Sequence, residues 1–365
     1  MKYFILFLVA GIYSLVSGCA SISYYAQAAQ GQFSLINQAK PIHDWLSDPA
    51  ADEKLKEKLK RVQEIRQFAS RELGLPNNAS YTSYADLKRQ FVVWNVVATP
   101  ELSLVPLKWC FPVAGCVDYR GYYDKQAAQN FADALIKQGM DVRISGVPAY
   151  STLGYFNDPV LSTFIHYSEP ELARLIFHEL AHQIAYASGD STFNESFATT
   201  IEEIGVTHWL ADRGDENLIA NYRLYQSRRK DFLNLLNTYR FKFEEIYRLT
   251  ISDEQKRKRK IELIRSIESD YTFLKQTWGG YTGYDRWFNE PVSNAHFVLI
   301  ATYHELVPEF KALLAEKGNL KDFYREVSNL AGMSATARHQ VLQRYTPLVQ
   351  QTTIKSELIN AAASQ

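Results

Sequence analysis

The chain has 365 residues, with 40 Lys and Arg balanced by 40 Asp and Glu, and 46% of its residues are hydrophobic. That composition suits a folded protein with a substantial core, as one large domain or two close-packed ones. With zero net charge there is no basic field to draw a nucleic acid, and the one basic run, KRKRK at 256–260, reads as a solvated helix turn.

The opening MKYFILFLVAGIYSLVSGCA carries one lysine, an apolar run and small residues ahead of Cys19. It is too short and wrongly flanked to be a spanning helix of the mature protein. Its VSGCA run resembles a bacterial lipoprotein signal. The resemblance implies that residues 1–18 are removed and that Cys19 is lipidated, with a lipid anchor of two or more acyl chains. Ala20 and Ser21, with no Asp after the cysteine, imply the periplasmic face of the outer membrane, with the inner membrane as the alternative. A plain secretory signal or an uncleaved anchor is also open, and every version exports the chain. Export favours a disulfide between the two remaining cysteines, Cys110 and Cys116, which would pin a small loop; two buried thiols are the alternative.

From residue 19 to 90 the spacing predicts a helical lead-in. Its strongest helix covers 53–73, with Leu55, Leu59, Val62, Ile65, Phe68 and Ala69 near one stripe and Gly74 and Pro76 behind it. Residues 91–168 read as a small sheet-and-helix subdomain. FVVWNVVATP, LSLVPL and CFPVAGCV are predicted strands, 123–138 a helix, and DVRISGVPAYSTLG a further strand. Residues 169–360 read as a helical subdomain with helices at 169–188, 194–211, 215–248, 252–277 and 291–307, the part from 191 packing on the helix 169–188. A small mixed sheet followed by helices makes the fold class α+β and mostly helical.

The chemistry concentrates in RLIFHELAHQIAYASGDSTFNESFATTIEEIG. HELAH sets His178 and His182 one turn apart on one helical face, with Glu179 beside them, the arrangement of two metal ligands and a general base. Catalytic zinc needs a third protein ligand and an open position. No HxxGxxH follows to supply a third histidine. The helix is expected to run out near Gly189 and Asp190, and a second helix to start with Asn194 or Ser191 as its cap. Glu195 in its first turn is then the expected third ligand, with Glu202 as competitor and Asp190 possible in the turn. Thr199, Glu202 and Glu203 follow at helical spacing, and Glu202 or Glu203 is placed to accept the far nitrogen proton of a ligand histidine.

HELAH followed closely by NESFAT resembles the two-helix site of glutamate-type zinc peptidases. The whole chain is similar to a bacterial family of predicted zinc aminopeptidases, often lipoproteins. The likeness runs from WCFPVAGCVDYRGYYD through GVPAYSTLGYFNDPV and the metal motif to NEPVSNAHFVLIATYHELVPEF. It implies a zincin-like fold, one Zn2+ per chain and a peptide substrate. It also suggests that residues 149–153 (Ala149, Tyr150, Ser151 and Thr152 among them) form an edge strand that pairs with substrate, an internal strand being the alternative. Only twelve residues separate His182 from Glu195, fewer than in the better-known branches, so their substrate rules do not carry over.

In this reading Glu179 takes the proton of a zinc-activated water and passes it to the leaving amine. His296 and Tyr303, on one predicted helical face, are candidate donors to the oxyanion, and packing in the core is their other reading. Trimming of amino termini would need a carboxylate near the metal, for which Glu202, Glu203, Asp158 and Glu169 are candidates. Endopeptidase action uses the same machinery, and a protein partner is left open. The rivals from another class are a non-catalytic zinc-binding lipoprotein scaffold and a peptide-binding assembly factor.

Overall fold

A computed structural model describes residues 24–111, 114–149, 151–298 and 305–346. The anchor cysteine expected at Cys19 lies outside them, as do Tyr150 and Tyr303. No helix among the described residues is long and apolar enough to cross a membrane.

The chain is mostly helical with small sheets, an α+β fold. After α1 (24–38), β1 (Lys40–Pro41) and α2 (Ile42–Ser47) comes α3 (Glu53–Arg71), capped by Asp52, whose carboxylate accepts from the Leu55 N–H at 2.9 Å. The expected apolar stripe of α3 is buried except at its first member: Leu55 is half-buried, while Leu59, Val62, Ile65, Phe68 and Ala69 lie at 0–3% exposure. This face packs into the same core as the helix carrying HELAH, and the Phe68 ring sits 6.1 Å from that of Phe177. The predicted lead-in is therefore part of the main core. Each such large side chain adds about 1.5–3 kcal/mol on burial.

Among the described residues three small sheets stand where a single one is expected. β1, β2 (Ser83–Ala85) and β8 (Val160–Leu161) form a mixed sheet. β3 (Val93–Pro100) is central in an antiparallel sheet between β6 (Arg120–Tyr122) and β7 (Met140–Val147), with α4 (Lys125–Ile136) covering it. β4 (Trp109–Phe111) and β5 (Gly115–Val117) make a hairpin closed by the Cys110–Cys116 disulfide. LSLVPL forms no strand; Pro106 has no N–H to donate to a ladder, and the segment reaches across to β3 through Leu107 N–H, which donates to Ala98 C=O at 2.8 Å.

α5 (Glu169–Ala181) and α6 (Ser191–Arg213) cross closely at the centre of the core. Gly205 permits the crossing, since a Cβ there would lie 2.6 Å from the Phe177 ring and 2.8 Å from Leu73. α7 (Glu216–Arg248) and α8 (Asp253–Thr277) pair around a separate core of Phe232, Leu236, Tyr239, Phe243, Ile267 and Tyr271. α9 (Val307–Lys317), α10 (Leu320–Ala331) and α11 (Ala335–Gln343) close the main core with Phe310, Leu313, Phe323 and Leu330.

Candidate metal centre

α5 starts at the Ser168 cap, whose N–H donates to Glu171 at 3.2 Å, and delivers His178 and Glu179 from its last turn. The helix ends at Ala181, earlier than the expected 188. Shorter-range bonds take over, from Gln183 N–H to Leu180 at 3.1 Å and from Ile184 N–H to Ala181 at 2.9 Å. His182 is the C-cap with helical dihedrals (φ −58°, ψ −22°), so it still stands one turn below His178.

The cap of α6 is Asp190, not Asn194 or Ser191. Its carboxylate accepts from Phe193 N–H at 3.1 Å and also holds Arg338 at 2.6 Å and His339 at 2.8 Å. These partners commit it to the turn and remove it from the candidate ligands. Asn194 instead clamps the turn itself: its amide accepts from Ala187 N–H at 2.7 Å and donates to Ala187 C=O at 2.9 Å. Both backbone groups of a buried turn are thereby satisfied, and Glu195 emerges facing α5.

His178, His182 and Glu195 bring one donor atom each within 4.8 Å of one another. His178 Nε2 lies 3.2 Å from His182 Nε2 and 3.1 Å from Glu195 Oε2, and His182 Nε2 is 3.7 Å from that oxygen. Ligands about 2.0–2.1 Å from a tetrahedral zinc stand about 3.3 Å apart, so the three atoms have the spacing and the nitrogen–oxygen chemistry for such an ion. Burial works against the charge of Glu195, but the facing imidazoles overcome it and hold its carboxyl well below the usual range. Burial likewise opposes the His178 imidazolium. Hydrogen bonds to Glu195 and Glu202 prevail and raise it to about 10.

Glu202 is the oriented partner of this group. Its buried carboxylate is 3.0 Å from His178 Nδ1, receives Arg174 at 3.1 Å and lies 3.4 Å from Arg229. Burial would raise its pKa, but the Arg174 charge and the His178 bond bring it down to about 2. A His178 that donates Nδ1–H to Glu202 presents the Nε2 lone pair to the triad, which is how such a carboxylate fixes a ligand tautomer. Glu203 turns away, to Arg229 at 2.8 Å and Lys311 at 2.6 Å. Thr199 Oγ1 and His182 Nδ1 are buried with no hydrogen-bond partner among the described residues.

Glu179 is partly exposed, and burial followed by the Glu195 and Asp158 charges pushes its carboxyl up, against the two histidines. Three tyrosines lie near the group formed by Glu179 and the triad. Tyr119, which follows the disulfide hairpin, is close enough for Glu195, Tyr186 and Glu179 to add to the burial that raises its phenol. The Tyr186 ring is 6.4 Å from that of His182, and its hydroxyl donates to Ala114 C=O at 3.4 Å. Tyr81 is 1% exposed and feels both Glu179 and Asp158. The hairpin that carries Ala114 is seated on the α5–α6 turn. Gly189 N–H donates to Ala114 C=O at 3.0 Å, and Gly115 (φ +75°) has no room for a Cβ, which would stand 2.5 Å from Gly189 N. Tyr119 sits in a segment that sequence patterning marked only as strand and loop. Its link to Glu195 joins residues far apart in the chain, and no local spacing announces it.

The other expected residues fall differently. The edge strand stops at Val147, so Ala149, Ser151 and Thr152 pair with no neighbouring strand, and Ala149 is buried in the main core. Pro148 ends the ladder, and the chain then turns through Leu153 and Gly154, both at positive φ. His296 lies among Trp287 and Phe297, with Nδ1 accepting from Ser293 N–H at 3.1 Å. Burial, reinforced by Arg143, lowers its pKa to about 3. None of its contacts is with the triad, so its reading as a core residue is the one the packing supports.

The family model described as "Putative aminopeptidase" matches residues 23–342. Neither the curated proteins nor the solved structures contain a match.

Proposed function

The chain belongs to the putative aminopeptidase family, and on that premise we propose that it is a zinc-dependent peptide hydrolase. His178, His182 and Glu195 would hold the ion, and Glu179 is the general base. The reading is carried by the mutual spacing of the three donor atoms, all within 4.8 Å, beside a partly exposed glutamate on the same helix.

When bound, zinc supplies Lewis acidity that lowers the pKa of a water and polarises the scissile carbonyl. Glu179, its carboxylate raised in pKa by its surroundings, accepts the water proton and returns it to the leaving amine. Tyr119 stays protonated because burial and the nearby carboxylates raise its phenol, so it can donate a hydrogen bond to the developing oxyanion. Glu202, backed by Arg174, keeps His178 in the donating tautomer. Export with a lipid on Cys19 completes the proposal, and the Cys110–Cys116 disulfide supports an oxidising compartment.

The test is metal content followed by peptide turnover. The chain from residue 20 onward, made without a histidine tag, should retain about one zinc, and Glu195→Ala should lose most of it. Glu179→Gln should keep the zinc and lose hydrolysis of a mixed peptide pool by about 10²–10⁴-fold. A folded wild type that takes up no zinc when it is supplied would defeat the reading.

A further inference from the structure

A tight turn joins α6 to α7. Gly214 ends α6 at positive φ (+64°), and the Asp215 carboxylate caps α7 by accepting the Asn217 and Leu218 N–H groups at 3.0 and 3.1 Å. α7 then leaves the main core and pairs with α8 around the second one. A groove of about 850 Å³ opens between α6, α7 and the start of α9.

Its floor is apolar. Leu210, Tyr222 and Val307 are buried there, and Ile204, Ile219 and Leu233 are half-buried. Its rim is cationic: Arg223, Arg229, Lys230 and Lys311 line it against one carboxylate, that of Glu203. Glu203 is shared by Arg229 at 2.8 Å and Lys311 at 2.6 Å. Arg223 and Lys230 are exposed and form no ion pair among the described residues. They stand seven residues apart on α7, two turns along one face, and their side chains are long enough to converge on one group.

Size and shape select the occupant. The lining on α7 runs from Ile219 to Asn237, about 27 Å at 1.5 Å per residue. Spread over that length, the volume leaves a mean cross-section of about 30 Å². A partner helix, about 10–12 Å across, needs about 80 Å² or more and is too wide. An inorganic anion would meet the cations and leave the floor uncovered. A single apolar chain with a charged end satisfies both parts, and the volume falls within the range of about 300–1,000 Å³ usual for small-molecule sites.

We propose that this groove binds a single-chain amphiphile with an anionic headgroup, its chain on the floor of Ile204, Tyr222 and Leu233 and its head held by Arg223 and Lys230. The site is separate from the metal centre, since none of His178, Glu179, His182 and Glu195 lines it. The peptidase reading and this one therefore stand or fall independently.

The experiment is a calorimetric titration of the chain from residue 20 onward, stripped of co-purifying amphiphiles. The probes are dodecanoate and dodecyl phosphate below their micelle concentrations, neutral dodecyl maltoside, butanoate and inorganic phosphate. An anionic twelve-carbon probe should bind roughly 10–100-fold more tightly than the maltoside, and at least about 100-fold more tightly than butanoate or phosphate alone. The carboxylate and phosphate arms tell which headgroup the rim prefers, and preference for either supports the site. The double variant Arg223→Glu, Lys230→Glu should remove the advantage of the charged head and leave maltoside binding unchanged. Ala211→Trp, on the exposed wall of the groove, should weaken every twelve-carbon probe. Circular dichroism checks that both variants fold. Equal binding of charged and neutral amphiphiles, equal binding of the headgroups alone, or tight binding that survives either variant would each overturn the proposal. So would binding of no probe, the outcome expected if another part of this chain fills the groove.

Discussion

Replacing Glu202 by Gln tests the centre from behind. The carboxylate meets His178 Nδ1 at 3.0 Å, Arg174 at 3.1 Å and Arg229 at 3.4 Å while 1% exposed. Glutamine keeps one acceptor oxygen and loses the charge. Arg229 retains Glu203, so the group left without its carboxylate is Arg174, whose side chain is 29% exposed and can recruit water. Breaking a buried ion pair costs about 3–5 kcal/mol, and this partial hydration puts the loss near the lower end, about 3 kcal/mol. Loss of the group that orients His178 should separately weaken zinc binding by about 10–100-fold, or about 1.4–2.7 kcal/mol. Urea denaturation reads the first quantity and competition with a chromogenic chelator the second. Glu203→Gln is the control, since it leaves His178 untouched and should hold zinc affinity within about twofold. A folded Glu202→Gln protein with wild-type zinc affinity would refute the reasoning.

Tyr119→Phe should lower kcat by about 10²-fold with little change in KM, because the phenol is assigned to the developing oxyanion; a change confined to KM would reassign it to binding. Gly205→Ala should cost about 1–3 kcal/mol in urea denaturation, since Phe177 and Leu73 must yield to the new methyl, and an unchanged midpoint would mean that the α5–α6 crossing relaxes freely. His339 is raised above its ordinary 6.5 by its hydrogen bond to Asp190, against burial. The stability it contributes is complete below pH 6.5 and is lost as pH rises through the folded-state value. Wild type should therefore lose stability over that interval relative to His339→Gln, and parallel pH curves would contradict the pairing.

Much of this arrangement was legible from spacing. HELAH places two imidazoles and a glutamate by helix geometry alone, and the stripe from Leu59 to Phe68 foretells a buried face. Spacing does not say which partner a buried face meets, so α3 read as a lead-in although it packs beside Phe177. Boundaries failed where side chains competed for backbone groups. Asn194 looked like a cap, yet its amide serves Ala187, and Asp190 caps because its second oxygen also satisfies Arg338 and His339. His296 and its helical register suggested chemistry, whereas a ring packed on Trp287 inside the α7–α8 core is a matter of packing. Tyr119 was missed because only the docking of the hairpin on the α5–α6 turn brings it to Glu195.

That docking bears on how the protein should be made. Four contacts seat the hairpin on the turn or close it upon itself: the Gly189 N–H, the Tyr186 hydroxyl, the closeness of Gly115 and the disulfide. The disulfide is the one that depends on the production host. In a reducing cytosol the two thiols stay apart, and the hairpin beside Tyr119 is left to its non-covalent contacts. Such a batch can pass every test of solubility and helix content with the segment beside Tyr119 loose. Secretion to an oxidising compartment, or oxidative refolding with a thiol count as release criterion, belongs ahead of the first activity assay.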